Sequence, residues 1–107
     1  MIDFEKFRNW HFVATIRYRT PNEGGRKTPC ELGYNPDLKF PFTDRMFMAR
    51  QIWEGIDKVF PGDTVNAKIL TASPNLLKNR LSIGLNFTLN EGPVIVADGI
   101  ITKLGEI

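Results

Sequence analysis

Arg26 and Lys27 follow the adjacent glycines Gly24 and Gly25, with Arg17 and Arg19 just upstream, and this is the densest cationic stretch of the chain. A guanidinium beside flexible glycines can pair with a phosphate through two parallel hydrogen bonds. Near the other end Glu91-Gly92 places a carboxylate beside a residue that lets backbone approach backbone. Two readings fit the cations: a solvated strand face, and an anion-binding patch. Catalytic chemistry finds less support. His11 is the one histidine and Cys30 the one cysteine, so no metal-ligand spacing exists. No Gly-x-Ser-x-Gly elbow occurs. Asp44, Glu54, Asp57, Asp63, Glu91 and Asp98 show no spacing that marks an acid/base pair. The expectation is a protein that is not an enzyme and carries no cofactor and no metal.

Bulk properties frame these residues. At 107 residues, 42% hydrophobic and 24% charged, the chain fits one globular domain with one ordinary core. A net charge of +2 lacks the basic excess of a dedicated nucleic-acid binder. Apolar runs such as Val94 to Ala97 are too short to span a bilayer. The acidic Met1 to Lys6 segment does not read as a secretory signal. One cysteine excludes an internal disulfide and suits a reducing compartment. These points predict a cytoplasmic location without membrane contact, and Cys30 reads as a structural thiol.

The elements that must position these residues follow a period of two. Phe12, Ala14, Ile16 and Tyr18 alternate with Val13, Thr15, Arg17 and Arg19, which predicts a half-buried antiparallel strand. Val65, Ala67 and Ile69 repeat the pattern. Leu81 to Leu89 reads as the cleanest strand, and Val94 to Leu104 as the last, with Gly99 permitting a bulge or a close backbone approach. Leu38 to Phe42 reads as a strand whose Pro41 implies an edge or a bulge. Residues 45–60 admit a strand or a short amphipathic helix; strand is preferred. Residues 1–10 read as an extension whose Phe4, Phe7 and Trp10 suit a short helical turn packed on the domain of residues 11–107. Rigid turns fall at Gly24-Gly25, at Gly33, and at Pro61-Gly62-Asp63, where Asp63 should bond local amides. Strands at this spacing predict a small closed all-β barrel or sandwich.

Gly-Gly-Arg-x-Thr-Pro-x-x-x-Gly-Tyr-x-Pro at Gly24 to Pro36, Pro-Gly-Asp-x-Val at Pro61 to Val65, and Glu91-Gly92 before a hydrophobic strand resemble the third, C-terminal domain of bacterial elongation factor Tu. The resemblance runs from about His11 to about Lys103. It implies a six-stranded antiparallel Greek-key barrel, present as a stand-alone version of one domain. The phosphate loop Gly-x-x-x-x-Gly-Lys-Ser/Thr of that factor's GTPase domain does not occur, so no GTP site is expected.

In the family this domain contacts the GTPase domain, the nucleotide-exchange factor and the T-stem backbone of aminoacyl-tRNA. The resemblance carries the tRNA-facing arginine onto Arg26 and the acidic-glycine pair onto Glu91 and Gly92, with Lys27 alongside. Elsewhere the resemblance departs: the family's polar or basic contacts are replaced by Asn35, Asp37, Met46, Ser73 and Val94, and its second glycine after the acidic residue by Pro93. A carboxylate such as that of Asp37 repels phosphate. The resemblance therefore implies a non-catalytic binding module for a protein partner, related to a translation factor or mimicking one. The alternative is a module with weak tRNA or RNA contact through Arg26, Lys27, Glu91 and Gly92.

Overall fold

The structure, a computed structural model, describes residues 4–106. Met1, Ile2 and Asp3 of the expected extension, and Ile107 of the expected domain, lie outside the described residues.

Alternation sets the first strand. In β1 (Phe12–Tyr18), Phe12, Ala14, Ile16 and Tyr18 are buried, while Val13, Thr15 and Arg17 face outward. β1 is flanked on one side by β6 (Thr64–Thr71) and on the other by β8 (Val94–Leu104). β6 pairs with β4 (Met46–Trp53), β4 with β3 (Asp37–Lys39), β3 with β7 (Asn86–Glu91), and β7 with β8, which closes a six-stranded antiparallel barrel. β3, β4 and β6 are successive neighbours, and β1 and β7 return to their two flanks, which is Greek-key connectivity. β2 (Cys30–Glu31) and β5 (Lys58–Val59) form a separate two-stranded ribbon. Closure leaves the six barrel strands without a free edge.

The interior is aromatic at one level and polar at another. Phe12 meets Phe40 and Phe87 edge-on at centroid distances of 6.1 and 5.7 Å, and Phe40 meets Phe47 at 6.3 Å. Such pairs add about 0.5–1.5 kcal/mol each beyond the area they bury. The Phe87 ring lies where a side chain at Gly99 would stand: a Cβ there would sit 2.2 Å from its Cζ. Neither a bulge at that residue nor a close backbone explains Gly99; the Phe87 side chain takes the space a Cβ would need. Elsewhere in the barrel Gln51 is buried, and its Oε1 accepts from the Tyr18 hydroxyl at 2.9 Å and from the Trp53 indole at 3.0 Å.

Residues 45–60 contain strands β4 and β5 and no helix. Two other expectations are corrected. The strand expected from Leu81 begins only at Asn86. Gly84 adopts φ 91°, the Leu85 amide bonds back to Ser82 O, and Ile83 is 67% exposed. Alternation persisted in the sequence there, but the chain is turning. Pro41 marks neither an edge nor a bulge: β3 is paired on both sides and ends at Lys39, before the proline is reached.

The extension forms a single 3-10 turn, Phe4–Lys6. Lys68, 7% exposed, anchors it: the ammonium donates to the carbonyls of Phe4 and of Phe7 (3.1 Å) and lies over the Phe4 ring at 4.5 Å. Among the described residues no helix is long and apolar enough to cross a membrane.

Candidate functional site

The loop after β1 is built to hold its shape. Glu23 accepts from the Thr20 amide and hydroxyl (2.9 and 3.0 Å) and from both Arg17 Nη atoms (2.8 and 3.2 Å). The Arg17 bonds and then the Thr20 bonds hold its carboxyl down to about pH 2. Arg19 makes a two-pronged bond to Asp98 at 2.7 and 2.9 Å. Gly24 supplies the left-handed turn, with φ 88°. Gly25 has a different reason to be glycine. Its φ is not positive; its amide bonds Thr20 O at 2.9 Å, and a Cβ there would stand 2.2 Å from Arg19 O. Positive φ in this turn is thus confined to Gly24, and at Gly25 close backbone approach is what requires glycine.

Arg26 leaves this loop and turns inward. Its Nε donates to Thr28 O (3.3 Å) and its Nη2 to the Thr28 hydroxyl (3.1 Å). Its Nη1 pairs with Oε2 of Glu91, and the guanidinium carbon lies 4.9 Å from the centre of the Tyr34 ring. The Tyr34 hydroxyl donates to the same Glu91 oxygen. The Glu31–Tyr34 turn, with Gly33 at φ 94° and the Tyr34 amide on Glu31 O at 3.1 Å, delivers that ring. Burial alone raises the Glu91 pKa, but the Tyr34 and Arg26 bonds outweigh it and bring it below the ordinary range. Burial, then the bond to Glu91, pushes the Tyr34 phenol up. Burial likewise pushes the neighbouring Cys30 thiol up to about 11, against a smaller opposing effect of Arg26.

Sequence reasoning named Arg26 and Glu91 separately, and the structure brings them into one ion pair across 65 residues. Gly92, at φ 57°, occupies the first central position of the β7–β8 hairpin turn, where a positive φ suits the strand twist. Lys27 is exposed and joins none of the ion pairs formed by Arg17, Arg19, Arg26 and Lys58. Pro61-Gly62-Asp63 locks the other side of the loop. The Phe60 amide donates to the Asp63 carboxylate (2.9 Å), and the Tyr18 amide to Asp63 O (2.8 Å).

A second feature adjoins this cluster. Residues directly opposite in an antiparallel pair share a face of the sheet. Met48 lies opposite Asp37, Met46 opposite Lys39, and Arg50 opposite Leu70. Asp37 in turn lies opposite Asn90, the neighbour of Glu91. The outward face of β3, β4 and the end of β6 therefore carries Met48 at 57% and Met46 at 39% exposure, with Lys39, Arg50 and Asp37 around them. A shallow groove of about 280 Å³ runs past Asn35, Met48, Arg50 and Leu70. Asn35, Asp37 and Met46 thus sit on or beside one surface, and Ser73 follows Ala72 at its margin. Pro93 and Val94 stay with Gly92 at the hairpin.

Sequence reasoning missed Met48 and Arg50 as surface features. The signal was present, since they share the outward parity of Met46, but it could be read only once residues 46–53 were known to be a strand. Among the described residues, no group of three or more His, Cys, Asp and Glu is arranged to hold a metal ion. No family model matches the chain.

Proposed function

We propose that this chain is a non-catalytic protein-binding module, related to or mimicking the third domain of elongation factor Tu, and that it binds through the outward face of β3 and β4. The single observation that carries this reading is the pair of exposed methionines, Met46 and Met48, on a closed barrel face flanked by Lys39 and Arg50. Methionine is flexible and polarisable, and it is used repeatedly at surfaces that adapt to a partner. The flanking cations favour a partner that presents an apolar side chain beside carboxylates. Neither solvation nor barrel closure requires methionine at these positions.

The RNA reading ranks second because of Arg26. Its guanidinium is engaged by Glu91, Thr28 and Tyr34, and Arg17 and Arg19 are engaged by Glu23 and Asp98. Phosphate affinity scales with the number of free cations that can displace counterions. Of the cations near this loop, Lys27 alone is exposed and outside every ion pair. The resemblance points to translation as the setting, with a protein that recognises the factor, or the factor's own neighbouring domains, as the partner.

The test is quantitative cross-linking and capture with the wild type, Met48→Glu and Lys27→Ala. A protein captured by the wild type and by Lys27→Ala, but not by Met48→Glu, supports the reading. Capture that depends on RNA and on Lys27, and that ignores Met48, defeats it.

A further inference from the structure

At the other end of β1, away from the Arg26 loop, a cleft of about 730 Å³ opens between the N-terminal extension and the last strand. Its volume is that of a small-molecule site, and such sites combine an apolar wall with a few convergent polar groups. Both parts are present. Trp10, Leu70 and Leu104 supply the wall, and Arg8 and His11 supply donors.

The histidine is held in one orientation. The Thr71 backbone amide donates to its Nδ1 at 3.0 Å. A neutral imidazole that accepts at Nδ1 carries its proton on Nε2. Nε2 has no hydrogen-bond partner among the described residues, and His11 is one of the residues that line the cleft, which leaves an unpaired N–H donor on a lining residue. Arg8 is exposed, joins no ion pair among the described residues and lines the same cleft. The ammonium groups of Lys68 and Lys103 each lie 5.7 Å from the centre of the Trp10 ring, adding positive field to that wall. Among the described lining residues, the carboxylate of Glu106 opposes these cations.

We infer that this cleft binds a small amphiphilic anion, a phosphate or carboxylate head on Arg8 and His11 with an apolar body against Trp10, Leu70 and Leu104. The assignment stands apart from the protein-binding face. The cleft is positioned by the Lys68 anchor, which fixes the extension and so brings Arg8 and Trp10 over the end of the barrel. An uncharged ligand of the same shape would leave the guanidinium and the imidazole N–H unused. A cation would meet the Arg8 guanidinium, with the Lys68 and Lys103 ammonium groups beside the Trp10 wall.

The experiment is a titration of the full chain by nuclear magnetic resonance, following the His11 ring and the Trp10 indole. The probes are octyl phosphate, octanoate and octanol, each kept below its micelle-forming concentration. The expected result is a saturable shift at His11 and Trp10 with one or both anions and a much weaker one with octanol. The two anions separate a phosphate site from a carboxylate site. Arg8→Gln should weaken the anion about tenfold, the usual worth of a hydrogen bond to a charged group. Glu106→Gln, which removes the opposing charge, should tighten it. Equal binding of octanol, indifference to Arg8→Gln, or shifts centred on the Arg26 loop would overturn the assignment.

Discussion

Arg26 Nη1 donates to Oε2 of Glu91, tying the loop after β1 to the β7–β8 hairpin 65 residues downstream. An arginine whose position beside two glycines suggests presentation to an anion is thereby spent on an internal carboxylate. Glu91→Gln should lower stability at neutral pH by about 1 kcal/mol, the modest figure for a partly exposed ion pair. The same change frees the guanidinium. Filter binding at low salt should show more RNA retained by Glu91→Gln than by the wild type, and equal retention would mean that the ion pair does not mask Arg26.

The contribution of Glu91 has a defined pH window. Its folded pKa lies below the ordinary value of 4.5. A carboxyl depressed by folding contributes stability that is fully present above its unfolded pKa and is lost as pH falls through the folded one. The stability difference between wild type and Glu91→Gln should therefore hold from pH 7 down to about 5 and shrink below 4.5. Denaturant midpoints of the two proteins at pH 7 and pH 3 measure this. A constant difference would show that the carboxylate is not the source.

Gly24 and Gly25 should respond differently to alanine. At Gly24 the φ of 88° is strained for alanine but nothing lies within 4 Å of a new Cβ, so the cost should be about 1 kcal/mol. At Gly25 the Cβ meets Arg19 O at 2.2 Å, so the backbone must move, at a cost on the order of 2 kcal/mol. Gly25→Val should cost more still. Chemical denaturation gives the order directly, and a larger loss at Gly24 would contradict it.

Lys68 is a buried ammonium satisfied by carbonyls and ring faces. Lys68→Met should release the Phe4–Lys6 turn while leaving the barrel closed. Trypsin should cleave after Arg8 faster than in the wild type, with the β-type circular dichroism spectrum unchanged. An unaltered cleavage rate would place the anchor elsewhere.

Cys30 is 3% exposed, and burial raises its pKa to about 11. Its thiol should therefore react with a disulfide reagent at pH 8 roughly a hundredfold more slowly in the native protein than in denaturant, since the thiolate is the reacting species. Rapid native labelling would contradict the buried placement.

Much of the barrel was legible in the sequence because burial imposes period two on each wall. Phe12 to Tyr18 and Val65 to Ile69 are strands as their alternation indicates, and Val94 to Leu104 is the expected last strand. Turn chemistry was equally readable at Pro61-Gly62-Asp63, where ring, positive φ and carboxylate each have a distinct role. Alternation misled at Leu81 to Leu85, because a turn with Gly84 at φ 91° can also space its apolar residues by two. The pairing of Arg26 with Glu91 was not legible, since nothing local to either residue encodes a contact between a loop and a distant hairpin. Lys68 and Gln51 were hidden for a related reason: a polar residue at an inward or covered position announces a partner without naming it.

A protein-binding face on β4, with Arg17, Arg19 and Arg26 held by internal carboxylates, should make partner capture depend on Met48 and not on the loop. The most direct measurement compares partner capture by the wild type, Met48→Glu, Arg26→Ala and Lys27→Ala at physiological salt, with and without ribonuclease. The account predicts a ribonuclease-resistant protein partner that Met48→Glu loses and both loop variants keep. A complex that survives Met48→Glu, and disappears with ribonuclease or with Arg26→Ala, would contradict it.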